Sequence, residues 1–287
     1  MANLLEPFSY SYMVNAIWVS SLVGAVCAFL SAYIMLKGWS LIGDALSHSV
    51  VPGVAGAYLL GLPYSVGAFF SGGLAAIAML FISSRSRLKP DVVIGLIFSG
   101  FFALGLFMIS IKPASVRIET IVFGNILAIS PEDSVQLVII ALVSLGILIF
   151  TWKDMMVVFF DESHARSIGL KASALKVLFF TLLSACTVAA LMAVGAFLVI
   201  AMVVTPGATA YLLTDRFPVL ILISVAVGVL SSALGCYISY FTDGVTGGVI
   251  ILLQTAALLC AFLFAPRHGI LASSCLLYTS PSPRDRG

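Results

Sequence analysis

The sequence predicts an all-α, polytopic membrane protein, and three observations support this: its composition, its long apolar runs and the distribution of its basic residues. Of the 287 residues, 61% are hydrophobic and only 9% are charged, whereas soluble domains carry about 25% charged residues. The mean hydropathy is +1.18. The composition therefore excludes an ordinary soluble domain. No basic patch with interleaved aromatic residues occurs, which argues against a nucleic-acid-binding role.

Apolar runs of about 20 residues can each cross a bilayer as a helix. Nine such runs are predicted, at 13–36, 42–60, 64–83, 92–111, 133–151, 173–192, 195–213, 218–240 and 246–265. Only Ala193 and Val194 separate the sixth run from the seventh, so eight is the alternative count. The N-terminal residues lack the basic region of a cleaved signal peptide, and the first run is expected to be retained.

The basic residues predict the orientation, because cytoplasmic loops of membrane proteins are enriched in lysine and arginine. With the N-terminus outside, Lys112 and Arg117 fall on the outer side. Ten others fall on or near the cytoplasmic side: Lys37, Arg85, Arg87, Lys89, Lys153, Arg166, Lys171, Lys176, Arg216 and Arg267. This asymmetry favours nine spans with the C-terminus in the cytoplasm.

The stretch 41–58, LIGDALSHSVVPGVAGAY, holds an aspartate and a histidine within apolar sequence. Asp44 and His48 are four residues apart and share one face of a helix. An aspartate at membrane depth costs about 2.5–3.5 kcal/mol and usually marks an ion or substrate route. A carboxylate with an imidazole suits Mn²⁺, Fe²⁺ or Zn²⁺, although a structural Asp–His hydrogen bond remains open on the residues alone. Pro52 and Gly53 are expected to interrupt this helix and to turn backbone carbonyls toward a cavity.

The second informative stretch is 194–217, VGAFLVIAMVVTPGATAYLLTDRF. We expect residues 205–207 to break the helix near the inner boundary, because proline lacks the backbone N–H that a helix interior needs. A short helix would then restart at 208–213 and end at Asp215 and Arg216. Such a helix across the cytoplasmic mouth could press into a groove on another subunit, and a plain turn after a proline-terminated helix is the alternative.

Two polar intervals connect the predicted spans. The interval 112–132 contains VFGNILAI and predicts either a short outer-face helix that contacts a partner or an ordinary loop. The interval 154–172 predicts a solvated amphipathic helix that carries mixed charges. Asp243 is expected to be a turn residue.

Cysteine spacing and missing motifs restrict the chemistry. The five cysteines show no CxxC or Cys/His ligand spacing and are expected to be buried; they are Cys27, Cys186, Cys236, Cys260 and Cys275. No G-x-x-x-x-G-K-[ST] motif occurs, so any ATP-driven function needs a separate nucleotide-binding subunit. No H-E-x-x-H or G-x-S-x-G motif occurs either, which argues against an intramembrane hydrolase.

The motif GDALSHSVVPGVA resembles the signature of the membrane permease subunits of bacterial ABC importers for manganese, iron and zinc, which are related in fold to the cobalamin and siderophore importer permeases. The likeness runs from about Trp18 to about Gly269. It includes D-E-x-x-A-x-x-x-G at 161–169 and P-x-A-T-A at 206–210, where Gly207 replaces the more usual alanine.

This resemblance implies the permease of an ATP-driven importer in the bacterial cytoplasmic membrane, with a divalent metal as transported substrate and no resident cofactor. Asp44 and His48 would line the metal route. The implied partners are cytoplasmic ATP-binding subunits, an extracytoplasmic metal-binding protein, and a second or sister permease. The implied ATPase-coupling residues are Pro206, Gly207, Ala208, Thr209, Ala210, Asp215 and Arg216.

Two other functions remain open on the sequence. An ATP-independent metal transporter would normally show internal repeats, and none is clear. An intramembrane metalloenzyme would need a further ligand and a base, and the predicted spans offer no other His or Glu. We expect one permease domain at 1–271. The polar segment 272–287, ASSCLLYTSPSPRDRG, is expected to be either a foreign, sequencing-derived extension or a disordered tail.

Overall fold

The computed structural model describes residues 6–39, 41–62, 64–111 and 131–265, which contain eleven α-helices, one short 3-10 turn and no strand. The helices are α1 (Ser11–Lys37), α2 (Ile42–Ser49), α3 (Val51–Leu60), α4 (Tyr64–Arg85), α5 (Pro90–Ile111), α6 (Pro131–Phe160), α7 (Glu162–Ser167), α8 (Ala172–Val194), α9 (Ala196–Leu213), α10 (Phe217–Thr242) and α11 (Thr246–Phe264). Nearly all of the predicted outer segment and the whole of the tail 272–287 lie outside these residues.

The prediction of an all-α membrane protein is confirmed, while the count of nine spans is only approximate. Seven helices in the described part of the chain are long and apolar enough to span a membrane: α1, α4, α5, α6, α8, α10 and α11. Helix α9 is apolar but shorter. The predicted second run is divided into α2 and α3 at Val50.

Helix α1 lies at the centre of the fold. Every residue from Val23 to Ile34 is buried, and the helix packs against α6, α8, α9 and α10. Tyr33 marks the point where these helices converge. Its hydroxyl donates to the Trp152 carbonyl at 2.9 Å, which gives the buried phenol the partner it needs. Its ring meets Phe179 edge-on at 5.8 Å and Phe217 at 4.9 Å.

The predicted amphipathic helix at 154–172 is wrong in its extent. Helix α6 continues to Phe160, because Met155, Val158 and Phe159 are buried in the core. The solvated part is only the six-residue α7. Asp161 caps α7 by accepting hydrogen bonds from the backbone N–H groups of the second and third residues after it, at 2.8 and 3.1 Å.

Two further predictions concern the role of Asp243 and the burial of the cysteines. Asp243 ends α10 with a left-handed φ of 48°, which agrees with its predicted role in a turn. Cys27, Cys186 and Cys236 are free and buried as expected, but Cys260 is exposed on α11.

Candidate functional site

Helix α2 carries Asp44 and His48 on the one face that the rest of the chain leaves partly open. Ile42, Ala45 and Leu46 on its other faces are buried. The serines of α2 are also buried, and each donates its hydroxyl to the carbonyl four residues earlier. The side chains of Asp44 and His48 remain 41% and 32% exposed. The fold therefore presents the two polar groups outward and buries the other residues of α2.

The two side chains are within reach of one another. His48 Nε2 lies 3.3 Å from Asp44 Oδ1. Two atoms that bind one transition-metal ion at about 2.1 Å are separated by about 3.0–3.4 Å, so the pair already has the spacing of neighbouring ligands. Proton and metal compete for the same two atoms, because a metal ligand must be deprotonated.

Helix α5 fixes the orientation of the imidazole. The His48 ring meets the rings of Phe98 and Phe102 edge-on, at 5.4 and 5.3 Å, and those two rings stack on each other. Sequence reasoning missed both phenylalanines. Their i, i+4 spacing on a predicted span was visible, but nothing in the sequence indicated which residue they would contact.

No group of three or more His, Cys, Asp or Glu side chains that could hold a metal exists among the described residues. Asp44 and His48 thus form an incomplete ligand set within this part of the chain. A pair of ligands suits an ion that must leave again, since conduction requires binding that is weak enough to release. A catalytic metal site normally has three protein ligands.

The break after the pair falls at Val50, two residues before the predicted Pro52. Helix α3 starts at Val51 and so places Pro52 in its first turn, where the missing N–H costs least. The Ser49 carbonyl accepts a hydrogen bond from the Ser71 hydroxyl of α4 at 2.6 Å. The sequence predicted that backbone carbonyls here would turn toward a cavity. The Ser49 carbonyl instead accepts a hydrogen bond from a neighbouring helix.

The predicted break at 205–207 is wrong, because Pro206 lies inside the continuous helix α9. Ser31 of α1 supports the chain around it. The Ser31 hydroxyl donates to the Val204 carbonyl at 3.1 Å and accepts from the Gly207 N–H at 3.0 Å. A Cβ added to Gly207 would lie 2.5 Å from the Ser31 carbonyl oxygen. Gly207, which stands where the family pattern more often has alanine, thus permits the close contact of α9 with Ser31 of α1.

The seven residues predicted to couple to an ATPase differ in accessibility. Pro206, Gly207, Thr209 and Ala210 are buried and Ala208 is half-buried. Asp215 and Arg216 are exposed, as is Tyr211 at 52%. The surface available to another subunit at this end of α9 is therefore Tyr211, Asp215 and Arg216.

The two stretches meet inside the protein. Helix α2 packs against α9, and a Cβ added to Gly43 would lie 3.1 Å from Val203 Cγ1. Gly43 is adjacent to Asp44, and Val203 is one turn before Gly207. The helix that holds the Asp–His pair is therefore in direct contact with α9.

A cluster of charges joins α7 to α8. Glu162 accepts hydrogen bonds from Lys176 and, at 2.7 Å, from Arg166. The hydrogen bond from the Lys176 ammonium holds the pKa of Glu162 below its ordinary value. No sequence signal connected Lys176 to this glutamate.

Known proteins resemble this chain over nearly its whole length. The model of the ABC 3 transport family matches residues 9–265. The chain is 66% identical over 270 residues to the chelated iron transport system membrane protein YfeC of Yersinia pestis, covering 94% of this chain and 92% of that protein. It is 46% identical over 285 residues to the manganese transport system membrane protein MntB of Synechocystis sp., covering 98% and 92%.

A solved structure is similar as well. PsaBC from Streptococcus pneumoniae, in complex with Fab, matches with a TM-score of 0.81 and 33% sequence identity. The match covers 94% of this chain and 98% of that one.

Proposed function

This chain belongs to the ABC 3 transport family and is a multi-pass permease subunit of an ABC importer, and from that premise we propose that it conducts iron or manganese ions along a route lined by Asp44 and His48. The relatives YfeC and MntB are named for iron and manganese, and neither is named for zinc. Family membership also favours the ATP-driven importer over the ATP-independent transporter.

The spacing of the Asp44–His48 pair is the observation that carries this proposal. Its ligand atoms are 3.3 Å apart, close enough to hold one divalent ion together. The carboxylate offsets part of the hydration that the ion loses, and the imidazole supplies the borderline-soft ligand that iron and manganese accept. Phe98 and Phe102 contact the imidazole edge-on.

A second permease would complete the route. The pair lies on the open face of α2, beside the exposed Leu41 and the half-buried Val51. We propose that an identical or sister permease faces this side, so that two such pairs line one central path. An extracytoplasmic metal-binding protein would deliver the ion, and selectivity would rest mainly with that protein.

Cytoplasmic ATP-binding subunits would act through the exposed end of α9. In this proposal Tyr211, Asp215 and Arg216 contact the ATPase, and the buried residues before them transmit its movement along α9. The contact between Val203 and Gly43 carries that movement to α2. Work of this kind needs no bond chemistry in the permease, only states that bind the ATPase differently.

The test of the route is metal uptake per assembled complex. Asp44→Asn keeps the size of the side chain but removes its charge, and His48→Ala removes the second ligand. Each should abolish uptake of iron or manganese while the variant still assembles with its partners. Asp243→Asn and His164→Ala are matched controls at a turn and on the solvated α7, and both should transport normally. Near-normal uptake by Asp44→Asn at normal assembly would remove the pair from the route.

The test of the coupling surface is a charge reversal. Asp215→Lys and Arg216→Glu should each weaken assembly with the ATPase or uncouple ATP hydrolysis from uptake, measured by co-purification and by hydrolysis per transported ion. Asp154→Lys and Lys153→Glu reverse exposed charges at the cytoplasmic end of α6 and should change neither. Unaltered coupling in both reversals at 215 and 216 would place the ATPase elsewhere.

A further inference from the structure

An apolar groove of about 300 Å³ runs between α4 and α8. Phe70, Gly73, Leu74 and Ile77 of α4 form one side, and Val177 and Thr181 of α8 form the other. The Thr181 hydroxyl is satisfied within α8, because it donates to the Val177 carbonyl at 2.9 Å. The groove therefore offers no unsatisfied polar group along its length, and it lies between two helices that are each long enough to span a membrane.

The groove continues to one end of α4. A narrower cleft shares Leu80 and Phe180 with it and extends to Ser83 and Pro90. Those two residues flank the short hairpin that joins α4 to α5. We name residues 85–89 the basic hairpin, since they read Arg-Ser-Arg-Leu-Lys.

The basic hairpin concentrates positive charge at the end of the groove. Arg85, Arg87 and Lys89 are all exposed, and among the described residues none of them is in an ion pair. The nearest acid along the chain is Asp91, in the first turn of α5. The Arg85 guanidinium lies over the Phe81 ring, 5.4 Å from its centroid, and Phe81 is one turn beyond Ile77 of the groove.

Ser86 lies between the two arginines of the basic hairpin. Its Oγ is shielded from solvent and has no hydrogen-bond partner among the described residues. A buried hydroxyl normally has one. Because the protein itself shields this oxygen, the basic hairpin presents its cations, and not the Ser86 hydroxyl, to a ligand.

We propose that this groove and hairpin bind one acidic phospholipid of the cytoplasmic leaflet. Its acyl chain lies between α4 and α8, and its phosphate lies at Arg85 and Arg87. The dimensions fit one leaflet: ten residues separate Phe70 from Leu80 along the groove, about 15 Å of helix, which is about half of a 30 Å hydrocarbon core. Acidic headgroups are attracted to basic segments next to the membrane. A zwitterionic headgroup carries a cation as well as a phosphate, and the basic hairpin repels that cation.

Binding can be measured by native mass spectrometry of the delipidated full-length chain with phosphatidylglycerol or phosphatidylcholine of the same acyl chains. The wild-type chain should bind one phosphatidylglycerol at least tenfold more tightly than phosphatidylcholine. The double variant Arg85→Gln, Arg87→Gln should bind phosphatidylglycerol about 25-fold more weakly, about fivefold for each cation removed. The matched control Lys153→Gln, Arg216→Gln removes two exposed charges elsewhere and should bind normally. Equal binding of the two lipids by the wild type would overturn the proposal.

The groove itself is tested by filling it. A Cβ on Gly73 meets nothing within 4 Å, so Gly73→Leu should fold and should weaken both lipids. Gly146→Leu, on α6, adds the same side chain at an equally open position and should weaken neither. Unchanged binding by Gly73→Leu would show that the acyl chain lies elsewhere.

A photo-crosslinking residue at position 77 distinguishes lipid from protein occupants in native membranes. With p-benzoyl-phenylalanine in place of Ile77, we expect an adduct of phospholipid mass. An adduct with a polypeptide, whether a second copy of this chain or another protein, would contradict the lipid assignment.

Discussion

The dipeptide Pro-Gly occurs twice: at Pro52–Gly53, beside the proposed metal route, and at Pro206–Gly207, before the proposed coupling surface. The two regions fold differently. At the first, a new helix begins and Pro52 stands in its first turn. At the second, α9 continues through Pro206, although a proline in a helix interior removes a backbone hydrogen bond.

A serine from a neighbouring helix contacts the backbone in both regions. Ser71 donates to one carbonyl, at Ser49, on the N-terminal side of the break. Ser31 bonds on both sides of Pro206, to the Val204 carbonyl and to the Gly207 N–H, and so holds the two parts of α9 together. The same dipeptide therefore stands at a helix start in one region and inside a helix in the other, and only the second has a serine bonded on both sides of the proline.

The largest effect is expected when either glycine acquires a branched side chain. A Cβ on Gly53 would lie 2.0 Å from the Gly67 carbonyl oxygen, and one on Gly207 would lie 2.4 Å from Ser31 Oγ. Gly53→Val and Gly207→Val should each destabilise the protein by about 3 kcal/mol, measured as a lower thermal midpoint and yield of purified protein. Gly146→Val, in open space, is the control. If only Gly53→Val is destabilising, the contact of α9 with α1 is not as tight as described.

A smaller and more selective effect is expected when the serines are changed. Ser31→Ala removes two buried hydrogen bonds and should cost about 2–3 kcal/mol, whereas Ser71→Ala removes one and should cost about 1 kcal/mol. Ser99→Ala removes an exposed hydroxyl that bonds only within α5 and should change the thermal midpoint least. Equal losses for Ser31→Ala and Ser71→Ala would contradict the idea that bonding on both sides of Pro206 matters.

The smallest effect on stability is expected for the ion pairs of Glu162 on α7, because these contacts lie outside the buried core. Glu162 has a lowered pKa, so its stabilising contribution is complete above the ordinary glutamate value, about 4.3, and is lost as the pH falls through the lowered pKa. Because Glu162 is 34% exposed, Glu162→Gln should cost only about 0.5 kcal/mol at neutral pH.

Thermal midpoints of both proteins against pH provide the measurement. The difference between wild type and Glu162→Gln should vanish in acid, and a difference that persists at low pH would argue against the ion pair as its source. Asp154→Asn, an exposed carboxylate on α6, is the control.

The sequence predicted those features whose causes are local. Long apolar runs identified the spans, and two ionisable residues in apolar sequence indicated Asp44 and His48 as a candidate metal pair, which stays a prediction. The contacts at the site could not be predicted in this way. Ser31 meets α9 from 173 residues away, and Phe98 is 50 residues beyond His48. The predicted fifth run ended at residue 151, whereas α6 continues: the Lys153 side chain lies over the Trp152 ring, and Met155, Val158 and Phe159 are buried.

The central position of α1 has a consequence for evolution. Each residue from Val23 to Ile34 is buried, and the helix shares its surface with four others, so a substitution there must be accommodated by several helices at once. Outward residues of α6 such as Leu142 and Phe150 are largely exposed and can change independently of one another. We therefore expect the sequences of this family to diverge slowly along α1 and rapidly on the outer face of α6. Sequence differences within α1 should then separate only the lineages that diverged earliest.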